Sequence, residues 1–180
     1  MKKPLIVSLS ALGISSIITQ IVLMREFLNI FSGNELVYGI IFANWLLLTG
    51  IGAYLGKFIN KNKLNFFMIS QIFISVLPFL QIFLLRYSRN HIFTPGVMLG
   101  LNQVVIFSFI VLLPYCLLSG SLLTLACSIF KKYKFDIGKV YFIDNIGDIL
   151  GGVIFSFILI YFLNSFQSAM FLFLIIIFPL

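Results

Sequence analysis

Asp144 and Asp148 are the residues of this chain whose type and placement point most directly to chemistry. They open an apolar run that continues to Leu163, broken after Gly152 only by Ser156. The two stand one helical turn apart, so both carboxylates share a face. Tyr141, Gly151 and Phe155 continue that face at 3-4 spacing. A carboxylate at mid-bilayer costs about 3 kcal/mol on insertion scales and more by other measures. Two on one face need protein donors, water or a cation. One reading is a cation or polar-ligand site near one end of a helix bundle, with Tyr141, Asp144 and Asp148 as ligand contacts. The other is a packed helix whose acids meet donors such as Asn44, Asn102, Gln103 or an arginine.

A second candidate is Glu26, next to Arg25 and followed by the apolar Phe27, Leu28, Ile30 and Phe31. Adjacent helical positions point about 100° apart, so Arg25 and Glu26 do not pair with each other. Either both sit at headgroup level, with Arg25 snorkelling, or Glu26 turns inward to a cation or a buried partner. Ser32-x-x-Glu35 fits a capping box, with Ser32 as N-cap and Glu35 at the third position of the next helix. Small-residue pairs mark packing seams: Gly52 with Gly56, Gly147 with Gly151, and Gly152 with Ser156. Asn44, mid-span, needs a hydrogen-bond partner on another helix.

The elements that must position these residues are membrane spans. The chain has 180 residues, 61% hydrophobic and 9% charged, with a mean hydropathy of +1.15. That composition excludes a soluble domain and fits an all-α, polytopic transmembrane bundle. A single transmembrane domain covers residues 1–180, with spans at 5–31, 36–58, 64–85, 97–130, 140–163 and 166–180. The first is read as an uncleaved helix, since no small-x-small site ends it. The fourth is long for one crossing, and Pro114 predicts a kink within it. The sixth offers fifteen residues with no polar tail and reads as an incomplete span, as in the front part of a longer protein.

Charge sets the topology. The loops at 57–63 and 131–139 are both basic, so an even number of crossings separates them, and the fourth region crosses once. Nine lysines (2, 3, 57, 61, 63, 131, 132, 134 and 139) then fall on one side, and Arg25, Arg86 and Arg89 on the other. This bias predicts a multi-pass plasma-membrane protein with a cytoplasmic N-terminus. The net charge of +7 belongs to these loops and not to a nucleic-acid surface.

No catalytic set is legible: there is no nucleophile with its base, no phosphate-binding loop and no zinc motif. Cys116 and Cys127 have neither redox nor metal spacing, and His91 is a lone loop histidine. No cofactor or metal is expected, and the chain by itself is not expected to be an enzyme.

Two stretches resemble a family. Residues 25–46, Arg-Glu-Phe-Leu-x-x-Phe-Ser-Gly-Asn-Glu-Leu-x-x-Gly-x-x-x-Ala-Asn-Trp-Leu, resemble the first helix-loop-helix of the multi-spanning spermidine-synthase-like membrane proteins. Residues 141–152, Tyr-x-x-Asp-x-x-Gly-x-x-x-Gly-Gly, are similar to a later helix of that family, and Pro114 with the small residues after it also fits. The resemblance implies a membrane domain that anchors or supplies a cytosolic aminopropyltransferase of polyamine metabolism. That catalytic domain has no counterpart in this chain, so its activity does not carry over. Implied partners are the bilayer, a cationic small molecule such as a polyamine, and a synthase domain or a second copy. A small-cation or amine transporter and a purely structural scaffold are the alternatives.

Overall fold

The computed structural model describes residues 2–31, 34–59, 62–93, 100–131 and 135–177. Helix α1 is Lys2–Phe31, α2 Glu35–Gly56, α3 Lys63–His91 and α4 Leu101–Lys131. Helix α5 is the span Ile137–Phe162, and α6 is Ser165–Ile177. No strand occurs among the described residues. Helices α1 to α5 are each long and apolar enough to cross a membrane, whereas α6 is a shorter apolar helix. The fold class is therefore an all-helical bundle of membrane-spanning character.

Several boundaries differ from the sequence reading. Helix α3 runs past 85 to His91, which is the last helical residue and lies tilted against Tyr87 at 4.5 Å between ring centroids. Helix α4 is one helix of 31 residues, continuous through Pro114. At 1.5 Å per residue that is about 46 Å, longer than the ~30 Å of hydrocarbon. Helix α2 is capped by Asn34, whose side chain accepts from the Val37 N–H at 2.9 Å. Glu35 is thus the first helical residue and not the third, because an asparagine immediately before a helix is as good an N-cap as serine. Ser32 lies outside the described residues, as do 97–99 and 178–180 of the expected fourth and sixth spans.

Helix α5 contains a π-helical turn, Phe155–Leu159. Its buried residues Gly147, Gly151, Phe155 and Leu159 advance by fours. A step of four overshoots an α-helical turn of 3.6 residues, and the wider π turn takes up the drift. One face of α5 thereby stays against the bundle.

Side-chain pairs fix the relative directions. Gln71 reaches the Ser8 carbonyl and Arg86 reaches Glu26, so α1 and α3 run parallel. Asn44 reaches Val105 and Ser108, and Thr124 reaches Ala53, so α2 and α4 run parallel. Tyr115 meets Ser15 while Phe107 meets Phe27, so α4 is antiparallel to α1. Each of the first four helices is thus one crossing. Lys57, Lys63, Lys131 and Lys139 gather at one end of the bundle and Arg25, Arg86 and Arg89 at the other.

The closest packing is between α2 and α4 and between α1 and α5. Glycines make both contacts. A Cβ on Gly52 would lie 2.8 Å from the Leu117 Cα, one on Gly56 2.9 Å from the Ser121 Cα, and one on Gly120 2.8 Å from the Ala53 nitrogen and against the Thr49 carbonyl. On the other pair, a Cβ on Gly13 would strike the Asp144 carbonyl, one on Gly147 would lie 2.5 Å from the Ser10 oxygen, and one on Gly151 2.8 Å from the Ile14 oxygen. The ascending order of these partners makes α1 and α5 parallel too. Gly152 does not belong to either seam: a Cβ there would meet nothing within 4 Å, because it lies one residue around the helix from the buried Gly151. Helix α3 packs on α4, α6 and α1, and α6 also lies on α1.

The seams predict that Gly120→Val destabilises the bundle by about 3 kcal/mol, at the upper end of overpacking costs because the obstacle is backbone. Gly152→Ala leaves stability essentially unchanged. Thermal unfolding in detergent reads both, and equal melting of the two variants contradicts the seam.

Candidate functional site

Between the two glycine-locked pairs the helices touch only sparsely. A cleft of about 330 Å³ remains there, lined by α1, α2, α4 and α5. Asp144 and Asp148 both line it. They reach it because Gly147 and Gly151 turn one stripe of α5 onto α1, leaving the flanking Asp144–Asp148 stripe beside the seam. Both aspartates are half-buried. Among the described residues neither carboxylate has a hydrogen bond or an ion pair.

The rest of the lining mixes the hydroxyls of Ser16 on α1, Thr49 on α2 and Ser119 on α4 with small residues and the apolar Leu12, Leu46 and Leu123. The Thr49 hydroxyl lies 2.9 Å from the Trp45 carbonyl and 3.0 Å from that of Leu46, so its proton is turned back to its own helix. Its lone pairs are what it offers outward. No lysine, arginine or histidine lines the cleft. The two carboxylates thus face the cleft with no charged donor in its lining, and what they complement is a cation or an amine.

Two of the donors considered for the acids from sequence, Asn44 and Arg86, are engaged elsewhere. Asn44 donates to Ser108 Oγ at 2.8 Å and to the Val105 carbonyl at 3.0 Å. Gln103, whose side-chain oxygen accepts from the Gly100 N–H, does not line the cleft, and neither does Asn102. Arg86 belongs to Glu26.

Glu26 does turn inward, and it is 5% exposed. It meets a protein cation rather than a ligand: Arg86 on α3 holds Oε1 through Nη2 at 2.7 Å and Oε2 through Nε at 3.2 Å. A two-point guanidinium–carboxylate pair is among the stronger ones available. The guanidinium also lies 4.7 Å above the Phe166 ring of α6. Glu26 is near the arginine end of α1 and does not line the acidic cleft. Tyr141 is 48% exposed and does not line it either. It sits one turn nearer the end of α5, before α1 and α5 close on each other.

The hydroxyls of Ser16, Thr49 and Ser119 and the close approach at Gly13 were not singled out from sequence as parts of a site. Ser10 and Gly13 at helical spacing on α1 were the available signal for the seam. The hydroxyls come together only through the meeting of four helices.

Compared with models of protein families, with curated proteins and with solved structures, the chain matches none.

The Glu26–Arg86 pair predicts a double-mutant coupling of about 1–2 kcal/mol, moderated by the half-exposed arginine. Arg86→Ala alone is expected to cost more than Glu26→Gln with Arg86→Gln together, because it strands a buried carboxylate. Zero coupling in unfolding measurements contradicts the pair.

Proposed function

We propose that this integral membrane protein takes a small organic cation of amine type into the cleft between its two helix pairs, with Asp144 and Asp148 as the charged contacts. One contrast carries the reading. The inward-facing Glu26 has its own arginine, while Asp144 and Asp148 share a cleft and have no protein partner among the described residues. Charges of opposite sign at low dielectric attract strongly. Two carboxylates one turn apart suit an ammonium group with several N–H donors. Ser16, Thr49 and Ser119 supply further acceptors. A purely structural bundle would place donors on both acids, and here the lining offers only serine and threonine hydroxyls, none of which bonds to either carboxylate among the described residues.

The family resemblance extends this reading. It makes the cation a polyamine and the bundle a membrane domain that anchors or supplies an aminopropyltransferase. The transporter alternative uses the same cleft as a way-point. The lysine end lies in the cytoplasm of the plasma membrane on this account, supported by the segregation of lysines from arginines. Asp144 and Asp148 then sit one and two turns in from Lys139, on the cytoplasmic half of α5.

Calorimetry of the purified protein in detergent is expected to show saturable binding of spermidine or putrescine, weakened at least tenfold in Asp144→Asn/Asp148→Asn. No binding by wild type, with the variant merely less stable, contradicts the assignment. A second expectation concerns orientation: alkaline phosphatase fused after Arg89 is active, and fused after Lys57 is inactive. The reverse pattern overturns the topology.

A further inference from the structure

Helices α1 and α2 are consecutive, yet each lies chiefly on another partner, so a furrow runs between them. The acidic cleft occupies its lysine end. Towards the arginine end the furrow opens into a second cavity of about 320 Å³. Ile17, Ile21 and Met24 of α1 and Phe42 of α2 give it apolar walls, and Gln20, Arg25 and Tyr38 also line it. The α1 residues recur at helical spacing, so they form one continuous wall.

Arg25 is exposed, and among the described residues it makes no hydrogen bond or ion pair. The adjacent Glu26 gives both oxygens to Arg86. The Arg25 guanidinium lies 5.9 Å from the centre of the Phe155 ring. It is six residues from the end of α1, about 9 Å along the axis, which is headgroup depth for a helix of this length. A guanidinium presents a planar fork of donors that matches phosphate. Tyr38, half-exposed beside it, adds a hydroxyl at the level where tyrosines gather at membrane interfaces.

We propose that this slot seats one phospholipid molecule, with its phosphate on Arg25 and Tyr38 and an acyl chain between Ile21, Met24 and Phe42. The apolar walls beneath the cation favour a lipid over free phosphate, which would leave them uncovered. Bilayer hydrocarbon is as apolar as the slot, so the chain contributes shape and the phosphate contact supplies the selectivity. Of the three arginines at this end, Arg86 is committed to Glu26, and Arg89 lines neither this slot nor the acidic cleft. This inference is independent of the amine reading.

The test is native mass spectrometry of the delipidated full chain after addition of phosphatidylglycerol. The expected result is one lipid adduct per chain in wild type. Arg25→Gln weakens it at least tenfold, Arg25→Lys restores it in part, and Arg89→Gln leaves it unchanged. Ile21→Trp, which fills the slot and keeps the charge, also abolishes it. Millimolar inorganic phosphate does not displace the lipid. Equal adducts in wild type and Arg25→Gln overturn the proposal, and so does full displacement by inorganic phosphate. Should Arg25→Gln fail to fold, undiminished binding by Ile21→Trp overturns it on its own.

Discussion

Backbone-to-backbone contact at glycine is the constraint on which the rest of this structure depends. In hydrocarbon, apolar side chains gain little by leaving lipid for protein, so helices associate through close packing and polar contacts. Gly52, Gly56 and Gly120 bring α2 and α4 together, and Gly13, Gly147 and Gly151 do the same for α1 and α5. In both pairs the glycines are reciprocal, each helix receiving the backbone of the other. Two tightly closed pairs leave a looser junction between them, and that junction is where the acidic cleft lies. The site is a consequence of where the packing is tight.

The same economy governs the charges within the bundle. Glu26 and Arg86 satisfy each other across α1 and α3, and the arginine extends over Phe166 to bring in α6. Asn44 ties α2 to α4, and Gln71 and Gln81 donate to the Ser8 and Val111 carbonyls on facing helices. Each bond spares a polar group the cost of lying unpaired in a dry interior. Asp144 and Asp148 have no such bond among the described residues, and the cleft in front of them is what gives them a functional reading.

Much of the fold was legible because a bilayer imposes simple rules. Length and hydropathy marked the spans, and the basic loops fixed one crossing for the fourth region, which α4 shows as a single helix. The sharing of a face by Asp144 and Asp148 followed from their spacing alone. What could not be read were partners distant in sequence. The pairing of Glu26 with Arg86 is a long-range event, as is the meeting of Ser16, Thr49 and Ser119. Local competition misled in two places: Asn34 took the cap from Ser32, and Gly152 was grouped with the packing glycines although only Gly151 faces α1. The π turn in α5 had no proline or glycine within it to announce it; the steps of four between buried residues became visible only with the neighbouring helix in place.

The central claim is that the space before Asp144 and Asp148 is an open acidic cleft and not a sealed helix contact. It is tested most directly by placing a cysteine there, as Asp148→Cys in a chain also carrying Cys116→Ala and Cys127→Ala. The reagent is a charged, membrane-impermeant methanethiosulfonate applied to inverted and to right-side-out vesicles. The account predicts rapid modification from the lysine end, slowed by added spermidine. A cysteine at 148 that stays unmodified from both sides, while one at the exposed position 139 reacts, would contradict it.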